Sequence, residues 1–192
     1  MAIKGLDLSV YQRGLSMKSV KAAGYKFVIL RAGYTGISSG TKKAVDTSFN
    51  TFYKQAKDAG LGVGAYWYSC ANSYAKGKAE AEFMIKNCLR GKKFEYPIFI
   101  DVEEKKWQMV GKVAVGNAIK GFCETMEKHG YYAGFYTSSA FLRAYIDSNI
   151  VKPYDLWCAQ WSSVKPSVGR GCGYRDWETP YRDWETDRKS VV

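Results

Sequence analysis

An α/β barrel of parallel strands, smaller than one built from eight full strand–helix units, is the fold class that the sequence predicts. Three observations lead there. Short apolar runs alternate with longer amphipathic stretches along the 192 residues. No G-x-G-x-x-G or G-x-x-x-x-G-K-[ST] pattern follows a strand candidate, so an open nucleotide-binding sheet gets no support. Polar and aromatic residues gather at or near the C-terminal ends of the strand candidates: Asp7, Arg31, Tyr34, Tyr68, Asp101, Glu103, Tyr136 and Gln160. In barrel enzymes those ends open into one mouth, where the active site lies.

The strand candidates are 3–9, 27–32, 62–69, 96–103, 132–137 and 155–160. Between them the helix candidates are 16–23, 45–59, 74–89, 110–128 and 139–146. The second helix carries Phe49, Phe52, Tyr53 and Ala56 at the spacing of one helical face. Gly24, Gly60 and Gly130 follow the first, second and fourth helices as stop residues. Strand and helix in alternation require parallel pairing with crossover helices. The C-terminus breaks this pattern. Tyr174 to Thr179 reads YRDWET and returns as Tyr181 to Thr186 after a single Pro180. One duplicated hexamer is too short for a solenoid. The expected organisation is a catalytic domain over 1–173 and an atypical tail over 174–192, foreign to the fold. An aromatic binding tail is the alternative.

Composition narrows the chemistry. Apolar residues make up 46% of the chain, enough for a full core. The net charge of +11 comes from dispersed lysines and arginines, with no compact basic run. A solvated basic surface is the first reading, and long-range attraction to an anionic substrate the second. Cys70, Cys88, Cys123, Cys158 and Cys172 are odd in number and form no C-x-x-C pair, so they read as reduced and buried. The single histidine, His129, stands at a helix end. One histidine excludes a His-rich metal site and argues against a Ser-His-Asp triad. No signal peptide is visible after Met1, and no apolar run approaches the roughly 20 residues of a membrane span.

Asp101 and Glu103 are the strongest chemical signal. They stand two apart in Ile98-Phe99-Ile100-Asp101-Val102-Glu103, so an extended strand puts both on one face. Two close carboxylates resist ionising together, and one should be held protonated. A carboxylic acid beside a carboxylate is what glycosidic cleavage uses. Glu104 would face away if the strand continued. Asp7 alternates with Leu6 and Leu8 and so points away from their packing. Tyr34, Tyr66, Trp67, Tyr68, Tyr136, Trp157 and Trp161 stand near strand ends, where rings can stack on the apolar faces of sugars; about half are expected to touch ligand and the rest to be core. Ser9, Ser69 and Ser138 have no local histidine.

Six segments, in order and spacing, resemble the lysozymes of glycoside hydrolase family 25, the cellosyl- or Chalaropsis-type muramidases. They are Gly5-Leu6-Asp7-Leu8-Ser9-Val10-Tyr11-Gln12, Phe27 to Tyr34, Gly64 to Ser69, Asp101-Val102-Glu103, Gly134 to Ser138 and Trp157-Cys158-Ala159-Gln160-Trp161. The resemblance covers about 3–163. It implies an irregular TIM-like barrel of eight strands and five helices. It implies hydrolysis of the β-1,4 bond between N-acetylmuramic acid and N-acetylglucosamine in bacterial peptidoglycan, without metal or cofactor. By the resemblance Glu103 is the general acid, and Asp101 is its partner that steers or charge-stabilises the acetamido group. Asp7 is a third carboxylate, and Tyr34, Tyr66, Tyr68, Tyr136 and Trp157 line the groove. The family's last strand carries a further Asp in a Val-Asp-x-Asn-like setting, which has no counterpart after Gly173. The last strands are therefore expected to be missing or altered.

The resulting expectation is a monomeric endolysin or autolysin that acts on the cell wall, with no nucleic-acid partner and no membrane insertion. Lacking a visible leader, it would stay cytoplasmic until release, or have lost its leader. A non-catalytic wall-glycan-binding module and a chitinase-like hydrolase are the alternatives.

Overall fold

The computed structural model describes residues 3–159. The strands are β1 (Gly5–Leu8), β2 (Phe27–Thr35), β3 (Lys43–Val45), β4 (Gly62–Tyr68), β5 (Ile98–Asp101), β6 (Ala133–Ser138) and β7 (Asp155–Ala159). The helices are α1 (Met17–Ala22), α2 (Phe49–Asp58), α3 (Tyr74–Met84), α4 (Lys105–Gln108), α5 (Lys112–Lys128), α6 (Ser139–Tyr145) and α7 (Ser148–Val151). β1, β2, β4, β5, β6 and β7 pair in that order, all parallel, in a curled half-barrel. β3 folds back antiparallel on the end of β2.

Period-two alternation divides the core into two layers. Val28, Leu30, Val63, Ala65, Trp67, Ile98, Ile100 and Phe135 face the helices and pack on Phe52, Met84, Ile119 and Phe122, among others. The intervening residues Phe27, Ile29, Tyr66, Phe99, Tyr136, Trp157 and Ala159 form a second cluster inside the curl. Each fully buried large apolar side chain contributes about 1.5–3 kcal/mol. Side-chain caps and glycines set several helix ends. Ser16, Ser73 and Ser138 accept from the backbone N–H of Ser19, Lys76 and Phe141. Gly24, Gly60 and Gly130 all have positive φ, as their reading as stop residues requires. α3 and α5 cross closely: a Cβ on Gly77 would lie 1.9 Å from the Ala118 carbonyl oxygen.

Three local expectations need correction. Residues 43–45 form β3, so α2 begins at Phe49 rather than at 45. Asp46 and its hydrogen bond to the Ser48 N–H hold the turn between them. The ladder of β5 ends at Asp101 rather than at 103, because the Glu104 N–H turns away to Gln108 Oε1 at 2.8 Å. The short helices α4 and α7 were not expected; they lack the length that gives a periodic signal. The last strand candidate runs past Ala159 into Gln160, which, with Trp161 and the 174–192 tail, lies outside the described residues. Among the described residues, no helix is long and apolar enough to cross a membrane.

Candidate active site

The parallel register gathers the predicted residues at one end of the sheet. Tyr34 pairs with Tyr68, Tyr68 with Asp101, Asp101 with Tyr136, and Tyr136 with Trp157. Five side chains from five strands thus make one row across the C-terminal ends. A bulge makes this row possible. Arg31 opposes Tyr66 and Gly33 opposes Trp67, so β2 carries one extra residue, Ala32. Without it Tyr34 would face the helices. One layer deeper, Tyr66 pairs with Arg31 on one side and Phe99 on the other.

The carboxylates meet at two phenols. Burial pushes the Tyr66 phenol well above its ordinary pKa, with the charges of Asp7 and Asp101 adding to the effect, and Asp7 is hydrogen-bonded to it. Burial also raises Tyr68, followed by its hydrogen bond to Glu104 and the nearby charges of Glu104, Asp101 and Glu103. Both phenols therefore keep their protons at neutral pH. Asp101 is 5% exposed, Glu103 half-buried and Asp7 exposed. Glu103 belongs to the extended segment that leaves β5, where Val102 still pairs with β6: its N–H donates to the Tyr136 carbonyl and its carbonyl accepts from Thr137 Oγ1.

The aromatic residues divide by depth. Trp157, 3% exposed, lies at the floor, its ring edge-on to Tyr66, Phe99 and Tyr136 at centroid distances of 6.4, 5.3 and 4.8 Å. Trp67, a strand-end ring in the sequence, belongs to the helix side and donates Nε1–H to Thr35 Oγ1. Tyr34 and Tyr11 form the rim, with the Arg31 guanidinium 5.5 and 5.1 Å from their ring centres. Arg31 is anchored by Nε to Asp46 Oδ2 at 2.8 Å.

Polar residues that sequence reasoning missed brace the mouth from behind. Glu80 of α3 is buried and accepts from Thr35 Oγ1, Ser69 Oγ (both 2.6 Å) and the Cys70 N–H. Burial raises its carboxyl pKa, and those hydrogen bonds only partly offset the rise. The folded state therefore binds more protons than the unfolded chain between the ordinary value of about 4.3 and the raised one. This group's contribution is greatest below the lower value and declines as pH rises through the upper. Melting curves are expected to show the stability of the wild type, relative to Glu80→Gln, falling as pH rises above the ordinary carboxyl range. An unchanged difference would mean that Glu80 does not titrate in that window.

Cys70, Cys88 and Cys123 are buried free thiols and Cys158 is half-buried; Cys172 lies outside the described residues. His129 caps the end of α5, its Nδ1 2.8 Å from the Thr125 carbonyl oxygen. Among the described residues no group of three or more His, Cys, Asp or Glu could hold a metal ion.

The family model described as glycosyl hydrolases family 25 matches residues 6–185. The chain belongs to glycosyl hydrolase family 25. This family 25 chain is 28% identical over 166 residues to the autolytic lysozyme of Clostridium acetobutylicum, an overlap of 86% of this chain and 47% of that protein. It thus spans about half the length of that relative. It is 26% identical over 185 residues to a probable family 25 lysozyme of Dictyostelium discoideum, covering 93% of this chain and 81% of that one. Among solved structures, the muramidase from Trichobolus zukalii superposes with a TM-score of 0.76 at 27% identity, over 91% of this chain and 84% of the other. A family 25 glycosyl hydrolase from Bacillus anthracis gives 0.73 at 26% identity, over 91% and 76%.

Proposed function

We propose that this protein is a muramidase that hydrolyses the β-1,4 bond between N-acetylmuramic acid and N-acetylglucosamine in bacterial peptidoglycan. The observation that carries the reading is the row of Tyr34, Tyr68, Asp101, Tyr136 and Trp157, with Glu103 just beyond it and Asp7 on the adjoining strand β1 in contact with Tyr66. Glu103 protonates the leaving glycosidic oxygen; its half-buried position suits a carboxyl that must carry a proton to substrate. Asp101 stays deeper and steers or charge-stabilises the acetamido group as positive charge grows at the sugar. Asp7 acts through its contact with Tyr66 and as the third carboxylate of the mouth. Tyr34, Tyr66, Tyr68, Tyr136 and Trp157 shape the groove, with the exposed rings stacking on sugar faces and Trp157 as its floor. The catalytic domain takes in 1–173, and residues 174–192 serve no catalytic role. The wall is the site of action, and the protein works as a monomer.

The products test this. Purified peptidoglycan digested by the protein and then reduced with borohydride should yield muramitol at the new chain ends. Glucosaminitol in its place would make the enzyme a glucosaminidase. Release of sugars from chitin, which lacks muramic acid, would favour the chitinase-like alternative.

A further inference from the structure

Glu104, which a continuing strand would have turned away from the mouth, instead faces Tyr68. We propose that Glu104 is a positioning residue that orients the Tyr68 hydroxyl as a hydrogen-bond acceptor for the substrate, and that Gln108 holds Glu104 in place. The proposal rests on the reading of the mouth as a glycan site.

The geometry is specific. Tyr68 donates its hydroxyl hydrogen to Glu104 Oε2 at 2.9 Å. A phenol has one hydrogen, so once it is committed to a carboxylate only oxygen lone pairs remain for a ligand. The group met by Tyr68 must then be a donor: a sugar hydroxyl or an acetamido N–H. The charged acceptor makes this the strong kind of hydrogen bond. Glu104 is itself fixed at two further points. Its Oε1 accepts from the Lys106 N–H at 3.0 Å, and its own N–H donates to Gln108 Oε1 at 2.8 Å. Gln108 is fully buried, and its Nε2 donates to the carbonyls of Ser69 and Ala71 at 3.3 and 3.4 Å. One amide therefore ties the segment that carries Glu103 and Glu104 to the chain that leaves Tyr68. Trp107 braces the outside of α4, its Nε1–H donating to the Ile37 carbonyl at 2.6 Å.

A capping role alone would explain the Lys106 contact but not the Tyr68 contact, and a double-mutant cycle separates the two. Rates of peptidoglycan solubilisation by the full chain would be measured for wild type, Tyr68→Phe, Glu104→Ala, Glu104→Gln and the Tyr68→Phe/Glu104→Ala pair. Cosedimentation with purified peptidoglycan would give the same cycle as a binding constant. Tyr68→Phe and Glu104→Ala should each lower kcat/KM about tenfold, chiefly by raising KM. The pair should fall no further than either alone, and Glu104→Gln, which still accepts from Tyr68, should recover most of the loss. Melting temperature should fall with cap loss equally in both backgrounds. If the two effects multiply to about a hundredfold, or if Glu104→Ala lowers kcat with KM unchanged, Glu104 acts only through the fold and the proposal fails. A Glu103→Gln variant run alongside keeps the two ideas apart, because wild-type rates in it would sink the acid assignment and leave the cycle intact.

Discussion

Glu103→Gln is expected to slow peptidoglycan solubilisation by roughly 10²- to 10⁴-fold, the contribution of a positioned general acid. The substitution preserves shape and removes only the transferable proton. Glu103 lies in a segment held by its neighbours, since Val102 pairs with β6 and Glu104 is fixed to Gln108 and Tyr68. The melting temperature should therefore stay close to wild type. Binding to purified peptidoglycan should also persist, because the aromatic row and Asp101 are untouched. Loss of turnover with retained binding is the expected pair of results. Equal turnover in variant and wild type would assign the acid to another carboxyl of the mouth, and cosedimentation lost together with turnover would mean that Glu103 is needed for binding.

The second large effect belongs to stability. Asp46 is buried and accepts three hydrogen bonds: from Arg31 Nε at 2.8 Å and the Val10 N–H at 3.1 Å through Oδ2, and from the Ser48 N–H at 2.8 Å through Oδ1. It ties the segment after β1, strand β2 and the turn into α2 to one carboxylate. Asp46→Ala leaves a largely buried guanidinium and two backbone donors without this acceptor, at a cost of about 3–5 kcal/mol. For a domain of this size the melting temperature should drop by roughly 10 °C. Asp46→Asn keeps one acceptor oxygen and should lose less. A thermal melt of both variants decides the matter: a drop of only a degree or two for Asp46→Ala would show that the pair contributes little beyond its desolvation cost.

Much of this architecture was legible because it rests on local signals. Glycines at 24, 60 and 130 marked helix ends, and Phe49, Phe52 and Ala56 marked the buried face of α2. Asp7, Asp101 and Glu103 stood out as acids set among apolar strand residues. What escaped depended on long-range contact. Asp46 followed an apolar residue and preceded a helical pattern, so it read as part of the helix, whereas its role comes from Arg31 and Val10. Glu80 lay in an alternating Ala-Glu stretch of a helix, with nothing local to distinguish it from a solvated acid. Its burial follows from Thr35 and Ser69 on two other elements. Glu104 was misjudged because strand periodicity was carried past Asp101, where the backbone had already turned. Trp67 and Trp157 show the same limit for rings: both stand near strand ends, yet one packs towards the helices and the other lines the curl.

The extra residue in β2 also gives the sheet a division of labour. Below Ala32 the strand keeps the phase shared with β1 and the lower half of β4; above it the phase is reset. Side chains of the mouth are thus decoupled from those of the barrel floor within a single strand. Flattening the bulge with Ala32 retained would exchange the two faces from Gly33 onward, turning a tyrosine towards the helices and a glycine into the groove, while Phe27 and Ile29 kept their places. A one-residue slip in the pairing of β2 at this point would recast the groove in one step and leave the core beneath it unchanged.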